Sequence, residues 1–145
     1  MKTSRPTIGK LSATMTHLLD TNAWLRVVAR PDELSPTVRR LISQHGILPF
    51  GLSAISIWEV TLKARKGKLE LLPSTEQWLQ SALGRNLVQV LSIDAAIARL
   101  ANELPGVFHE DPADRLIAAT ARHRRLTVVT SDARIRSYDA VASLW

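Results

Sequence analysis

Apolar residues in this chain gather into short runs, divided by polar breaks that carry glycine or proline. Residues 17–19 form one such run, which stops at Asp20-Thr21-Asn22, and residues 23–28 have the spacing of a first helical segment. After a break at 31–36, Ser35 and Pro36 supply the N-cap and first turn of a helix that runs to His45 and closes at Gly46. Residues 48–52 read as a second strand edged by Pro49, and 53–66 as a helix with Ile55, Trp58 and Leu62 as its apolar stripe and Gly67 as its stop. Ser74 with Gln77 predicts a capping box opening a short helix to Leu83. A third strand at 87–91 and a helix at 94–103, ended by Pro105-Gly106, follow.

The last third holds the clearest unit, DPADRLIAATARHRRLTVVTSD at 111–132. Asp114 stands at the head of an Ala-rich helix, and Ile117, Ala118 and Ala121 fall three, four and seven positions on, which sets Asp114 on the buried stripe. A strand at 126–130 then delivers Asp132 just past its C-terminal end, where open α/β sheets keep their ligand crevices. Residues 141–145 read as a last short strand. Strands alternating with helices predict an α/β fold of three layers, with a mainly parallel sheet of four to five strands covered on both faces.

Length and charge narrow this picture. At 145 residues the chain suits one domain, and no run approaches the roughly 18 apolar residues of a membrane span. Residues 1–14 are polar and basic and predict a flexible tail, with Met15 as a candidate natural start and 15–145 as the folded domain. The absence of cysteine excludes disulfides and thiolate metal sites and fits a cytoplasmic protein. Nineteen Lys+Arg against thirteen Asp+Glu give +6, which suits a polyanionic partner; the basic residues cluster at 63–68, 122–125 and 134–136.

Four acids then attract attention: Asp20 after the first strand, Glu59 on a helix, Asp114 opening another helix and Asp132 after a late strand. Each has a plain structural reading. Asp20 and Asp111 suit helix N-caps, Ser56 with Glu59 would make a capping box, and Asp132 would start a turn. As a set they are harder to dismiss. Like charges about 4 Å apart repel by roughly 4 kcal/mol at an effective dielectric of 20, and no matching set of Lys or Arg lies on those inward faces. A hard divalent cation, Mg²⁺ or Mn²⁺, accepts such oxygen ligands and supports phosphoryl chemistry. The histidines, His17, His45, His109 and His123, show no ligand spacing for zinc.

The runs LLDTNAW at 18–24, SAISIWEV at 53–60 with GKL after it, DPADRLIAATA at 111–121 and VVTSDARI at 128–135 resemble the PIN-domain ribonucleases of the VapC type, the toxins of toxin-antitoxin pairs. The resemblance runs from Met15 onward, with the four motifs in order. It implies a PIN-like three-layer fold and a Mg²⁺- or Mn²⁺-dependent endoribonuclease, cleaving RNA by attack of a metal-activated water on a phosphodiester. Matched motif by motif, the metal-binding and catalytic acids fall on Asp20, Glu59, Asp114 and Asp132, with Asp111 as an auxiliary acid and Asn22 and Thr130 as orienting residues. RNA would be held by Arg65, Lys66, Lys68, Arg134 and Arg136. A homodimer, a cognate antitoxin and a cytoplasmic location are further implications, with apolar surface at Trp24, Leu25 and Val28 as the antitoxin's candidate seat.

Trp24 and Trp58 stand at helical spacing beside Leu and Val and are read as core residues rather than base-stacking ones. Two other functions use similar residues. A phosphoacceptor signalling domain would want an Asp closing the third strand and a Lys on a later one, whereas here 87–91 runs into Ser92 and TVVTSD carries no Lys. A DNA-directed nuclease of the same fold stays open, because nothing in the sequence reads the 2'-hydroxyl.

Overall fold

The computed structural model describes residues 14–44, 49–84 and 86–145. The predicted tail, apart from Thr14, lies outside the described residues, as do the helix end at His45 and Gly46 and the strand start at Leu48. Among the described residues five strands, β1 (His17–Leu19), β2 (Phe50–Ser53), β3 (Val88–Leu91), β4 (Thr127–Val129) and β5 (Ser143–Leu144), form one sheet in the order β3-β2-β1-β4-β5. Every neighbouring pair is parallel, with Leu18 opposite both Gly51 and Val128. The chain therefore starts in the middle of the sheet, walks out to one edge, and resumes on the other side of β1. That reversal lies between β1 and β4, and a doubly wound sheet opens a crevice at the carboxyl ends of such a pair.

Helices α1 (Thr21–Ala29), α2 (Pro36–Gln44), α3 (Ala54–Arg65), α4 (Thr75–Leu83), α5 (Ala95–Leu100), α6 (Pro112–Arg124) and α7 (Ala133–Arg136) complete the layers. Alternation along each strand divides the core in two. Leu19, Leu52 and Val129 belong to one half, closed by Trp24, Val38, Val60 and Ala82 from α1 to α4. Leu18 and Val128 belong to the other, closed by Ile117, Ala118 and Ala121 of α6 and Ile135 of α7. The α/β sandwich with a parallel sheet is as expected, and its five strands sit at the upper end of the predicted number. In α6, the buried Ala118, Ala119 and Ala121 carry almost no side chain, so the helix packs close to its neighbours.

Two sequence readings need correction. Helix α3 buries Ser56 and Val60, whereas Ile55 and Leu62 are half-buried and Trp58 is 57% exposed, so the predicted stripe faces a surface cleft and Trp58 is not a core residue. The reason is composition: Ile55, Ile57, Trp58, Val60 and Leu62 encircle the helix, so apolar spacing alone cannot choose a face. Its start is as expected, with Ser53 as the N-cap accepting the Ile55 N–H at 3.1 Å, so the plain reading of Ser56 and Glu59 as a capping box falls. The second correction concerns α1. Trp24 and Leu25 are packed into the core, which removes them as a surface for a protein partner. Gly67 does end α3, taking a positive φ of 75° while its N–H donates to Ala64 O at 3.1 Å.

Candidate active site

Beyond the carboxyl ends of β1 and β4 lies a polar pit of about 230 Å³, lined by Asp20, Thr21, Asn22, Glu59, Lys63, Asp111, Asp114, Asp132 and Arg134. All four acids singled out from the sequence meet there, with Asp111 and Asn22. Local structure explains how each arrives. Asp20 follows β1 and is the N-cap of α1, its Oδ1 accepting the Ala23 N–H at 2.8 Å. Asp111 caps α6 through the Asp114 N–H at 3.0 Å, and Asp132 caps α7 through the Arg134 N–H at 2.8 Å. Helix N-termini tolerate negative charge, so capping and convergence reinforce each other. Glu59 sits further along α3 and needs a different support. The Thr21 hydroxyl donates to Glu59 Oε1 and lies 2.8 Å from Ser56 Oγ.

Thr130 ties the two central strands together at the pit floor. It is fully buried, its hydroxyl donates to Asp20, and its oxygen accepts the Asp132 N–H at 2.9 Å. The electrostatics follow from burial and crowding. Burial pushes the Asp20 carboxyl up, opposed by its hydrogen bonds from Thr130 and Ala23, with the Asp132 charge adding to the rise. Burial, followed by repulsion from Asp111, Asp132, Glu59 and Asp20, pushes Asp114 up to about 7. Asp132 goes the opposite way, held down chiefly by the hydrogen-bonded Arg134 guanidinium. Arg134 Nη2 stands 3.0 Å from Asp132 Oδ2 and 3.6 Å from Asp114 Oδ2.

Of the predicted RNA-holding residues, Arg134 alone lines this pit; Arg65, Lys66, Lys68 and Arg136 are exposed outside its lining. Lys63, in the last turn of α3, lines it in their place. Sequence reasoning also missed His109, whose Nε2 lies 3.1 Å from Asp114 Oδ2, and the roles of Thr21 and Ser56. A histidine two positions before an Asp-Pro helix start was the available signal for the first; the others became visible only once α1 and α3 were packed side by side.

Among the described residues, no group of three or more His, Asp or Glu side chains is arranged so as to hold a metal ion as it stands. What the pit offers is an all-oxygen donor set under its own repulsion, with a single arginine inserted between two of the acids. That chemistry fits a hard divalent cation, which takes carboxylate oxygens and keeps several of its waters. It does not fit zinc, because His109 is the sole imidazole at the rim among the described residues.

Comparison with known proteins agrees with the geometry. A family model described as the PIN domain matches residues 17–141. Ribonuclease VapC22 of Mycobacterium tuberculosis is 34% identical over 123 residues, covering 85% of this chain and 92% of that protein. The structure of FitAcB from Neisseria gonorrhoeae superposes with a TM-score of 0.60 at 29% identity, over 88% of this chain and 96% of that one. VapBC2 from Rickettsia felis, solved bound to a DNA fragment from their promoter, gives a TM-score of 0.60 at 20% identity, over 90% and 98%, and speaks to the fold alone.

Proposed function

The chain belongs to the PIN-domain family, and on that premise we propose that it is a metal-dependent endoribonuclease, the toxin of a toxin-antitoxin pair. The observation that carries this reading is the meeting of Asp20, Glu59, Asp114 and Asp132, from four separate stretches of chain, in one pit at the reversal of the sheet. The 34% identity to a ribonuclease over most of both chains supports RNA as the substrate. Asp20, Glu59, Asp114 and Asp132 hold Mg²⁺ or Mn²⁺, which when bound supplies an activated water and offsets charge on the phosphoryl group.

The chain's own residues prepare the site. Thr130 bonds both the Asp20 side chain and the Asp132 N–H, and Thr21 holds Glu59. Asp111 and Asn22 complete the rim as auxiliary polar groups. An acidic pit repels a polyanion, and Lys63 and Arg134 at its lip, with Arg65, Lys66, Lys68 and Arg136 beyond, supply the opposing charge for the RNA backbone. The protein works as a homodimer in the cytoplasm and is silenced by an antitoxin segment that covers the pit; no helix among the described residues is long and apolar enough to cross a membrane.

Incubation of the purified protein with RNA and with DNA, in Mg²⁺, Mn²⁺ or EDTA, tests the reading. RNA cut only when the metal is present, and uncut by Asp20→Asn, is the expected result. DNA cut in preference to RNA would transfer the same site to the alternative substrate, and metal-independent cleavage would defeat the proposal.

A further inference from the structure

The imidazole of His109 is held more firmly than a rim residue needs to be. Its side chain is 19% exposed, its ring packs against Phe108 with centroids 4.5 Å apart, and Phe108 packs in turn on Tyr138 at 4.6 Å. The Tyr138 hydroxyl donates to Pro105 O. Arg115, one position after Asp114 on α6, donates to Ala101 O at 2.9 Å, Phe108 O at 3.1 Å and His109 O at 3.2 Å. The segment that carries His109 is thus fastened from both ends to the helix that carries Asp114. A loop merely connecting α5 to α6 would need none of this.

The hydrogen-bond pattern also assigns the ring's proton. The Asp111 N–H approaches His109 Nδ1 at 3.4 Å, so that nitrogen is the acceptor and the neutral ring carries its hydrogen on Nε2. Nε2 is buried, has no hydrogen-bond partner among the described residues, and lies 3.1 Å from Asp114 Oδ2. Arg134 approaches the same oxygen, but at 3.6 Å, from a side chain that is 60% exposed on a four-residue helix and shared with Asp132. One contact comes from a buried nitrogen on a fastened segment; the other comes from an exposed side chain. Asp114 Oδ1 takes no hydrogen bond or ion pair among the described residues.

Resting on the nuclease reading above, we infer that His109 is a positioning residue: its unpartnered Nε2–H, 3.1 Å from Asp114 Oδ2, takes that oxygen when the pit binds its cation, so that Oδ1 stays turned toward the cation. Without that hold, repulsion from the acids around it favours rotation of the Asp114 carboxylate away from them. An outer partner on a ligating group typically changes metal affinity by about 10–100-fold, and His109 is placed to act in that way.

Calorimetric titration of Mn²⁺ into wild type, His109→Gln, His109→Asn and His109→Ala tests this, because the Gln amide nitrogen reaches the place of Nε2 and the Asn amide does not. Wild type and His109→Gln are expected to bind within about threefold of each other, with His109→Asn and His109→Ala weaker by about 10–100-fold. The metal-free melting temperatures of the variants, measured alongside, separate this loss from unfolding. A second measurement needs no variant for its reading: a long-range ¹H–¹⁵N spectrum of the wild type at alkaline pH is expected to show His109 protonated on Nε2. Equal affinity in His109→Ala, a His109→Gln as weak as His109→Ala, or the opposite tautomer would each overturn the inference alone. A wild type that binds no Mn²⁺ would remove the nuclease reading and this inference together.

Discussion

Helices α1 and α3 begin in the same way, each at the carboxyl end of a central strand, and each carries a tryptophan beside a residue of the pit. They then part. Trp24 is fully buried and packs edge-on against Trp78 at 5.4 Å, while Trp58 is 57% exposed over a cleft of about 530 Å³ shared with Ile55, Leu62 and Ile93. In α1 the acid is the cap itself, so the helix must start at the pit and its next turn must enter the core. In α3 the acid lies six residues past the Ser53 cap, and the face that reaches the core is marked by a small polar residue, Ser56, which bonds Thr21 rather than filling space. A position set by a cap survives from sequence to structure; a position set by which apolar side wins does not.

The largest expected effect separates the two tryptophans. Trp24→Ala should cost about 3–5 kcal/mol in denaturant unfolding, since it empties a fully buried site against Trp78, Leu25 and Val38. A cost below about 1 kcal/mol would show that α1 is not anchored as described. Next comes the pit side of the comparison. Glu59→Gln should lower RNA cleavage by about 10²-fold, equivalent to ~2.7 kcal/mol of barrier, with little change in stability because Thr21 and Ser56 still pair. Unfolding on that substitution would make Glu59 a structural residue.

A smaller effect should appear with pH. Asp114 has a folded pKa raised from 3.8 to about 7, so the folded state holds its proton more tightly than the unfolded chain does. Its contribution is therefore intact below about pH 4 and is lost as pH rises through 7. Metal-free protein should lose roughly 1–2 kcal/mol between pH 5 and pH 8 through this group, a figure reduced for solvent screening. Asp114→Asn should flatten that slope, and Mn²⁺ should offset it in the wild type. Asp132 has the opposite sign, because Arg134 lowers its pKa; its contribution is present above about pH 4 and is lost on acidification, so the two acids are separable by the direction of their slopes. Smallest of all, Trp58→Ala should change monomer stability by about 0.5 kcal/mol or less. Acrylamide should quench the Trp58 fluorescence readily and that of Trp24 hardly at all.

Much of this site was readable in the sequence for one physical reason. Asp20, Asp111 and Asp132 are caps, and a cap is a local event whose residue, spacing and following helix lie within a few positions of one another. The parallel sheet was readable as well, from strands alternating with helices. The contributions of Thr21, Ser56 and His109 were not, because each acts on a partner brought close by packing. Thr21 reaches Glu59 across 38 positions of chain, and no local pattern encodes that distance. The misplaced face of α3 belongs to the same class, since the sheet and α1 choose which apolar side is covered. The pairing of Arg134 with Asp132 and Asp114 was equally hidden, since its Asp114 contact depends on α6 meeting α7.

The central claim is that carboxylates from distant parts of the chain converge to hold one divalent cation. Crystals grown or soaked with Mn²⁺ and measured for anomalous scattering test it directly. The account predicts a peak in the pit at about 2.0–2.3 Å from oxygens of Asp20, Glu59, Asp114 or Asp132, with Arg134 withdrawn. An empty pit at saturating Mn²⁺, or a peak held by other residues, would contradict it.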